Sequence, residues 1–157
     1  VRRASFFASG TEFSRDMRKV IRGTDAVRTL TLPKTTKYVS SGAFDGMPSL
    51  KSIILNDGLE EMSSIAFSGC ALNSVYVPKS VAIIRNGVFG YCTKLKNVTF
   101  QEGIKLQSID NGCFSSCPIQ NFVVPKSVNL IEEWAFSGCP SLTHICFQEG
   151  CVITRIM

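Results

Sequence analysis

The chain has 157 residues, of which 45% are hydrophobic and 18% are charged, and its formal net charge at pH 7 is +5. This length and composition suit one globular domain, and they exclude wholesale disorder and a membrane-spanning segment. Seven basic and three acidic residues lie within residues 1–28, and ten basic and nine acidic residues follow them. The nearly neutral body therefore lacks the broad basic face that binding to nucleic acid requires.

Residues 1–26 are predicted to form an N-terminal cap segment that contains a short helix. Thr11 suits a helix N-cap, and Gly23 stands where a glycine often ends a helix. Between them, apolar residues recur at the spacing of one helix face, at Phe13, Met17, Val20 and Ile21. We therefore expect a helix across residues 11–22, placed to cover the open first turn of the repeats that follow.

A repeat of 22–25 residues runs through the rest of the chain, from residue 27 to residue 157. Each copy has a small residue followed by phenylalanine, and further on two apolar residues that bracket one other residue. The repeated phenylalanines are Phe44, Phe67, Phe89, Phe114 and Phe136. This period is typical of a solenoid in which every turn contributes one short strand to a parallel sheet. The phenylalanines are predicted to be buried and stacked from turn to turn.

Alternate turns differ in the residues that follow the strand. Odd turns continue with a Pro-Lys pair, at Pro33, Pro78 and Pro125. Even turns continue with a polar residue, an acidic residue and a glycine, which is Gly58, Gly103 or Gly150. Proline lacks the N–H that strand pairing needs, and glycine permits a tight bend. The larger unit of the sequence is therefore a pair of turns.

The whole pattern resembles the BspA-like leucine-rich repeats, whose turns read roughly I-P-x-S-V-x-x-I-x-x-x-A-F-x-x-C-x-x-L-x-x-V. Residues 77–98 match this motif best, and residues 125–147 match it almost as well. The resemblance implies an α/β fold of the leucine-rich-repeat type: a right-handed solenoid with a curved parallel β-sheet on the concave face and short 3₁₀ or irregular segments on the convex face. Residues 27–157 would form about five complete turns and a truncated sixth.

The function predicted from this pattern is non-enzymatic protein binding. His144, the only histidine, has no carboxylate or nucleophile at matched spacing, and no cofactor motif is present. The resemblance implies a cell-surface or secreted adhesion protein that binds host, matrix or cell-surface proteins. One alternative is an intracellular scaffold or regulatory repeat domain, which unpaired cysteines favour because thiols persist in a reducing compartment. A structural spacer is the other alternative.

The concave face of the sheet is the predicted binding site. Strand residues alternate between the two faces, so the residue between two inward apolar positions points outward, as does the residue just before the first of them. The predicted contact residues are Ser52, Ile54, Ser74, Tyr76, Asn97, Thr99, Asn121, Val123 and His144. Apolar side chains flanked by small polar ones resemble the apolar core and polar rim of a protein interface.

The cysteines are predicted to be structural and to bind no metal. Four of them occupy the same repeat position, at Cys70, Cys92, Cys117 and Cys139, and no C-x-x-C pair occurs. They are expected to form a buried ladder beside the phenylalanines. Cys146 alternates to the outward side and is the predicted reactive thiol.

Two further features stand apart from the sheet. Trp134 replaces the glycine found at Gly42, Gly87 and Gly112, and it is placed on the convex side, where it either packs locally or marks a contact site. Residues 151–156 align with residues 104–109, so the chain stops inside another turn. The uncovered C-terminal turn predicts end-to-end self-association.

Overall fold

The computed structural model describes residues 6–8 and 10–157 of the chain. The remainder of the predicted cap, residues 1–5 and residue 9, lies outside the described residues. The described part is built from short strands joined by turns. The strands are β1 (Phe6–Ala8), β2 (Thr11–Phe13), β3 (Lys19–Gly23), β4 (Thr29–Thr31), β5 (Tyr38–Val39), β6 (Ser52–Ile54), β7 (Glu61–Met62), β8 (Ser74–Val77), β9 (Ile83–Ile84), β10 (Asn97–Phe100), β11 (Ser108–Ile109), β12 (Asn121–Val124), β13 (Leu130–Ile131), β14 (His144–Phe147) and β15 (Arg155–Ile156).

One layer of the solenoid consists of the strands β4, β6, β8, β10, β12 and β14, one from each turn. They are parallel, and they hydrogen-bond in couples: β4 with β6, β8 with β10, and β12 with β14. Strand β6 also neighbours β8, and β10 neighbours β12. In the described residues, no strand pairing joins β6 to β8 or β10 to β12, and we call these two boundaries seams. Each couple joins an odd turn to the following even turn, which is the pair predicted from the sequence.

A second parallel layer is formed by shorter strands on the other side of the core. Strands β3, β5, β7 and β9 pair in sequence order, and so do β11, β13 and β15. In the two-residue strands before β15, the second residue points inward and is buried, as with Val39, Met62 and Ile84. The phenylalanine turn follows directly, so the second layer fixes where each phenylalanine enters the core.

Side chains from even turns hold the proline turns that precede them. The buried amide of Asn56 donates hydrogen bonds to the backbone oxygens of Lys34 (3.2 Å) and Thr36 (2.9 Å). In the next pair of turns, the backbone N–H of Lys79 donates to Oε1 of Gln101 at 2.9 Å. In the last pair, the N–H of Lys126 donates to Oε1 of Gln148 at 3.0 Å. These side-chain staples satisfy backbone groups that a proline turn leaves without ladder partners.

The predicted helix across residues 11–22 is wrong. The segment forms strands β2 and β3, which are antiparallel and joined by a turn, and Phe13 pairs with Val20 across them. Met17 lies in the turn with φ 57°, which a helix does not accommodate. Strand β3 also pairs in parallel with β5, so the first repeat supplies backbone partners that the sequence spacing alone does not reveal. Gly23 ends strand β3 and not a helix, and glycine is required there because a Cβ would lie 2.3 Å from the Phe44 ring.

The core is organised around the stacked phenylalanines, as predicted. Their ring centroids are 5.3 Å apart between Phe44 and Phe67, and 5.8 Å apart between Phe67 and Phe89 and between Phe89 and Phe114. Phe136 continues the stack at 5.7 Å, but it is only half-buried. The expectation that Phe136 is fully buried is therefore wrong, because no following phenylalanine turn covers its outer face in this chain.

The solenoid expected from the sequence is confirmed, with its short strands and parallel sheets. The described residues contain no helix, and the segments opposite the strand layers are runs of turns. Accordingly, none of the described residues belongs to a helix long and apolar enough to cross a membrane. The boundary between the cap and the repeats at residues 26 and 27 stays a prediction.

Candidate functional site

The strand face is the solvent-facing side of the β4–β14 layer, and it contains all nine predicted contact residues. Every one of them is exposed. Ile54 and Tyr76 expose 58% and 53% of their surface, and Val123 exposes 46%. The predicted orientation of these side chains follows from strand alternation, since Val75, Val98 and Phe122 point into the core from the intervening positions. Their role in binding stays a prediction.

Strand register brings the predicted residues together within couples. Ser74 lies opposite Asn97, and Tyr76 lies opposite Thr99. In the last couple, Asn121 lies opposite His144, while Val123 lies opposite Cys146. Strands of neighbouring couples lie side by side without pairing, so the strand face consists of three two-stranded patches in a row. It has a narrow apolar centre of Ile54, Tyr76 and Val123 with small polar residues beside it.

A polar cleft marks the seam between β10 and β12. It has a volume of about 500 Å³, and it is lined by Lys96, Asn97, Pro118, Gln120, Asn121 and Ser141. The two predicted contact residues Asn97 and Asn121 thus line one cleft although they belong to different couples. Since ladder bonds are interrupted here, the cleft offers amide groups to a bound molecule along the strand face.

Basic residues precede three of the strands and form one flank of the strand face. They are Arg28, Lys51 and Lys96, and all three are exposed. None of them takes part in an ion pair with another described residue. The opposite flank is balanced, because Lys34, Lys79 and Lys126 alternate there with Asp57, Glu102 and Glu149. A partner with acidic groups along one side would complement this asymmetry.

The cysteine ladder is hydrogen-bonded, and it is buried at Cys70, Cys92 and Cys117. At Cys139 the expectation of burial is wrong, because this residue lies in the same half-buried turn as Phe136. The thiols of Cys70, Cys92, Cys117 and Cys139 each donate to the backbone oxygen of the phenylalanine one turn back, at 3.1 to 3.2 Å. Burial raises the pKa of the Cys70 and Cys117 thiols to about 12 and raises those of Cys92, Cys113 and Cys139 as well. These groups are therefore poor nucleophiles and poor metal ligands at neutral pH.

The remaining candidate groups are exposed and isolated. All seven cysteines are free, and Cys146 is exposed, as predicted. The ring of His144 is exposed on the strand face, and its Nδ1 lies 3.0 Å from Oγ1 of Thr143. Among the described residues, no group of three or more His, Cys, Asp or Glu side chains is placed to hold a metal ion.

The turn face is the surface of the phenylalanine turns, and it contains functional candidates that the sequence analysis did not identify. Each turn has two positions with positive φ, two residues before and two residues after the phenylalanine. Glycine occupies most of them, at Gly42, Gly46, Gly69, Gly87, Gly112 and Gly138. The exceptions are Ile65 (φ 52°), Tyr91 (φ 58°), Ser116 (φ 58°) and Trp134 (φ 57°). Bulky residues in this region are strained by about 1–3 kcal/mol each.

A groove crosses the turn face between these strained residues. It has a volume of about 540 Å³, within the range of ligand-binding clefts. Its lining combines Ile65, Tyr91 and Trp134 with glycine, serine and asparagine residues from consecutive turns. Aligning the turns by their phenylalanines would have shown all three bulky residues at glycine positions, although only Trp134 was singled out from the sequence.

The last turn leaves an apolar surface exposed. Ile145, Phe147, Ile156 and Met157 are all exposed, whereas the equivalent inward residues of the preceding turn, Phe122 and Val124, are buried. A cavity of about 370 Å³ lies against this surface. It is where the predicted end-to-end contact would form.

Comparison with protein families agrees with this geometry. Residues 19–143 match the BspA type leucine rich repeat region in six copies. The chain belongs to the BspA-type leucine-rich repeat family. A search of curated proteins finds no match to it. Domains of this family are generally non-enzymatic repeat scaffolds that mediate protein–protein contacts.

Solved structures of bacterial leucine-rich repeat proteins resemble this BspA-type domain. The pneumococcal vaccine antigen PcpA is 29% identical with a TM-score of 0.74, and the match covers 78% of this chain and 31% of PcpA. A leucine-rich repeat protein from Eubacterium ventriosum is 22% identical with a TM-score of 0.84, over 92% of this chain and 40% of that protein. The T. pallidum leucine-rich repeat protein TpLRR is 22% identical with a TM-score of 0.69, over 88% and 79%. The chain thus spans about a third of the pneumococcal antigen.

Proposed function

We propose that this BspA-type domain is a non-enzymatic module that binds a protein ligand on its strand face, as part of a cell-surface or secreted adhesion protein. The observation that carries the proposal is the exposure of Ile54, Tyr76 and Val123 on an otherwise polar face. Burying such side chains against a partner releases water from apolar surface, and tyrosine is a frequent hot-spot residue.

Location at the cell surface is supported by similarity to a vaccine antigen. The free cysteines are compatible with a location outside the cell. The thiols of Cys70, Cys92 and Cys117 are buried, and their raised pKa values keep them protonated, so they would resist oxidation outside the cell. Cys146 is the exposed thiol that would be most open to oxidation there. A protein ligand from a host, a matrix or another cell surface would meet the strand face directly.

The test uses the full chain immobilised at low density and a panel of purified extracellular-matrix and cell-surface proteins as probes. Tyr76→Ala and Ile54→Asp each remove part of the apolar centre while leaving the core untouched. At least one probe should bind the unaltered chain, and each variant should weaken that binding tenfold or more, about 1.4 kcal/mol. Melting temperatures should stay nearly unchanged, since both side chains face solvent.

Tyr91→Gly is the matched control, because Tyr91 is also an exposed tyrosine but lies on the turn face. It should bind the same probe as tightly as the unaltered chain. Normal binding by both strand-face variants would contradict the proposal and would move the protein-binding site away from the strand face.

A further inference from the structure

The groove on the turn face is bordered by bulky residues in a backbone conformation that favours glycine. Ile65 and Trp134 occupy the position two residues before the phenylalanine, and Tyr91 occupies the position two residues after it. Their exposed fractions are 41%, 68% and 64%. Because these side chains are largely outside the core, their strain is not compensated by full burial. Unfavourable residues of this kind concentrate at functional sites.

Glycines in the groove leave space for Ile65 and for the neighbouring backbone. A Cβ on Gly87 would lie 3.1 Å from Cγ2 of Ile65, and a Cβ on Gly90 would lie 3.1 Å from the backbone oxygen of Gly112. Glycine at these positions keeps the backbone open to an incoming molecule. Glycines and backbone atoms therefore form part of the groove lining, beside the larger side chains.

Polar groups along the groove are neutral and largely uncommitted. Its polar side chains are those of Ser41, Ser64, Ser68, Asn86, Asn111, Ser115, Ser116 and Ser137. Ser41 donates to the backbone oxygen of Ser64. The other side chains make no hydrogen bond to any described residue. No charged side chain lines the groove.

Two aromatic rings stand at different turns of the same groove. Tyr91 belongs to the Phe89 turn and Trp134 to the Phe136 turn, with the small residues of the Phe114 turn between them. Tyr91 and Trp134 are two turns apart, which corresponds to roughly 10 Å at the usual strand spacing. Aromatic rings offer flat apolar faces with little conformational entropy to lose on binding.

We propose that the turn-face groove binds a neutral oligosaccharide. A pyranose ring has an apolar C–H face that can lie on an aromatic ring, and hydroxyl groups around its edge that pair with serine hydroxyls and asparagine amides. Successive sugar rings would contact Tyr91 and Trp134 and place their hydroxyls over the small residues between. An anionic ligand would find no counter-charge in the groove lining, and a purely apolar ligand would leave the serine and asparagine groups of the groove unpaired.

The test exploits Trp134, which is the only tryptophan of the chain. Its fluorescence reports directly on this groove. The probes are linear neutral hexasaccharides, namely cellohexaose, laminarihexaose, mannohexaose and chitohexaose, titrated into the full chain up to millimolar concentration. A sulfated heparin hexasaccharide and a neutral hexapeptide serve as comparison ligands. At least one neutral hexasaccharide should shift the Trp134 emission to shorter wavelength with saturable dependence.

Variants separate this site from backbone strain and from the strand face. Tyr91→Gly removes one ring at a position where glycine is relaxed, and it should weaken the binding tenfold or more while Trp134 still reports. Met17→Gly is the control, since it relieves a positive φ of similar size at a residue outside the groove without removing a ring. It should change the affinity less than threefold. Tyr76→Ala on the strand face should leave the titration unchanged.

Calorimetry with Trp134→Gly completes the set, and the binding heat should disappear. The proposal is overturned if none of the four neutral hexasaccharides changes the emission, or if only the heparin hexasaccharide or the peptide does. It is also overturned if Tyr91→Gly binds as tightly as the unaltered chain. Tyr76→Ala changes only the strand face. A negative result in the oligosaccharide titrations therefore does not affect the proposed protein-binding site, which has its own experiment.

Discussion

The thiol of Cys92 donates a hydrogen bond of 3.2 Å to the backbone oxygen of Phe67, one turn back along the solenoid. Cys117 makes the equivalent bond to Phe89, and Cys139 makes it to Phe114. The cysteine of each turn thus satisfies a buried carbonyl of the turn before it. A small, weakly polar donor suits this place, because it fills a core position and still provides the hydrogen bond.

Stability should fall at alkaline pH because of this ladder. The folded pKa values of Cys70 and Cys117 are raised to about 12 from 9.0, so folding keeps these thiols protonated. Their contribution is fully present below pH 9 and is lost as the pH rises from about 9 towards 12, since the unfolded chain then releases protons more readily. Urea unfolding between pH 7 and pH 10.5 measures the loss. Cys70→Ser should reduce this pH dependence, and an equal dependence in that variant would contradict the assignment.

Phe89→Ala should destabilise the domain by about 3–5 kcal/mol, because Phe89 is fully buried and stacked between two other rings. Phe136→Ala is the matched comparison. It removes the same atoms from a half-buried ring at the last turn, and the loss should be about half as large. Chemical denaturation of both variants gives the two values. Equal losses would mean that burial does not determine how much each phenylalanine contributes to the free energy of unfolding.

Asn56→Asp should be more harmful than Gln101→Glu, although each exchanges an amide for a carboxylate. Asn56 donates to two backbone oxygens, and a carboxylate has no proton to donate. Gln101 instead accepts from the N–H of Lys79 through Oε1, which a carboxylate also does. We expect a loss of about 2–4 kcal/mol for Asn56→Asp and below about 1 kcal/mol for Gln101→Glu, measured by urea unfolding at pH 7. Similar losses would show that it does not matter whether the side-chain amide donates or accepts these hydrogen bonds.

The exposed C-terminal turn should make the chain associate with itself as its concentration rises. Phe147 and Ile156 are about half or more exposed on this surface, and apolar surface of this kind drives association. Sedimentation analysis of the unaltered chain should detect dimers at high concentration, and Phe147→Asp should shift them to monomers. Tyr76→Ala controls for any apolar change outside the C-terminal turn. If the unaltered chain stays monomeric throughout the concentration series, the end-to-end contact through the C-terminal turn is ruled out.

Much of the architecture could be predicted because the repeat fixes it many times over. One phenylalanine or one strand would be ambiguous, but five registers of the same pattern define the stack of Phe44, Phe67, Phe89 and Phe114. The outward direction of Tyr76 and Val123 follows from strand alternation alone. Their exposure is therefore a local property, whereas the ligand they would contact is not encoded in any local pattern.

The N-terminal segment shows where such reasoning fails. Phe13 and Val20 are seven residues apart, which fits one face of a helix and equally fits two positions opposed across a hairpin. The choice between them is made by backbone partners in β5, and those belong to the tertiary structure. By contrast, aligned turns already show Ile65 and Tyr91 where other turns have glycine, and the structure adds that both residues have positive φ.

The staples from Asn56, Gln101 and Gln148 also restrict how a solenoid of this kind can change in length. Each staple and each couple of strands joins an even turn to the odd turn before it. Removing a single turn would place two proline turns, or two glycine turns, side by side with the wrong partners. Gene duplication or deletion that adds or removes two turns at once keeps every partner. The heritable module of this array is therefore the pair, and array length should evolve in even steps.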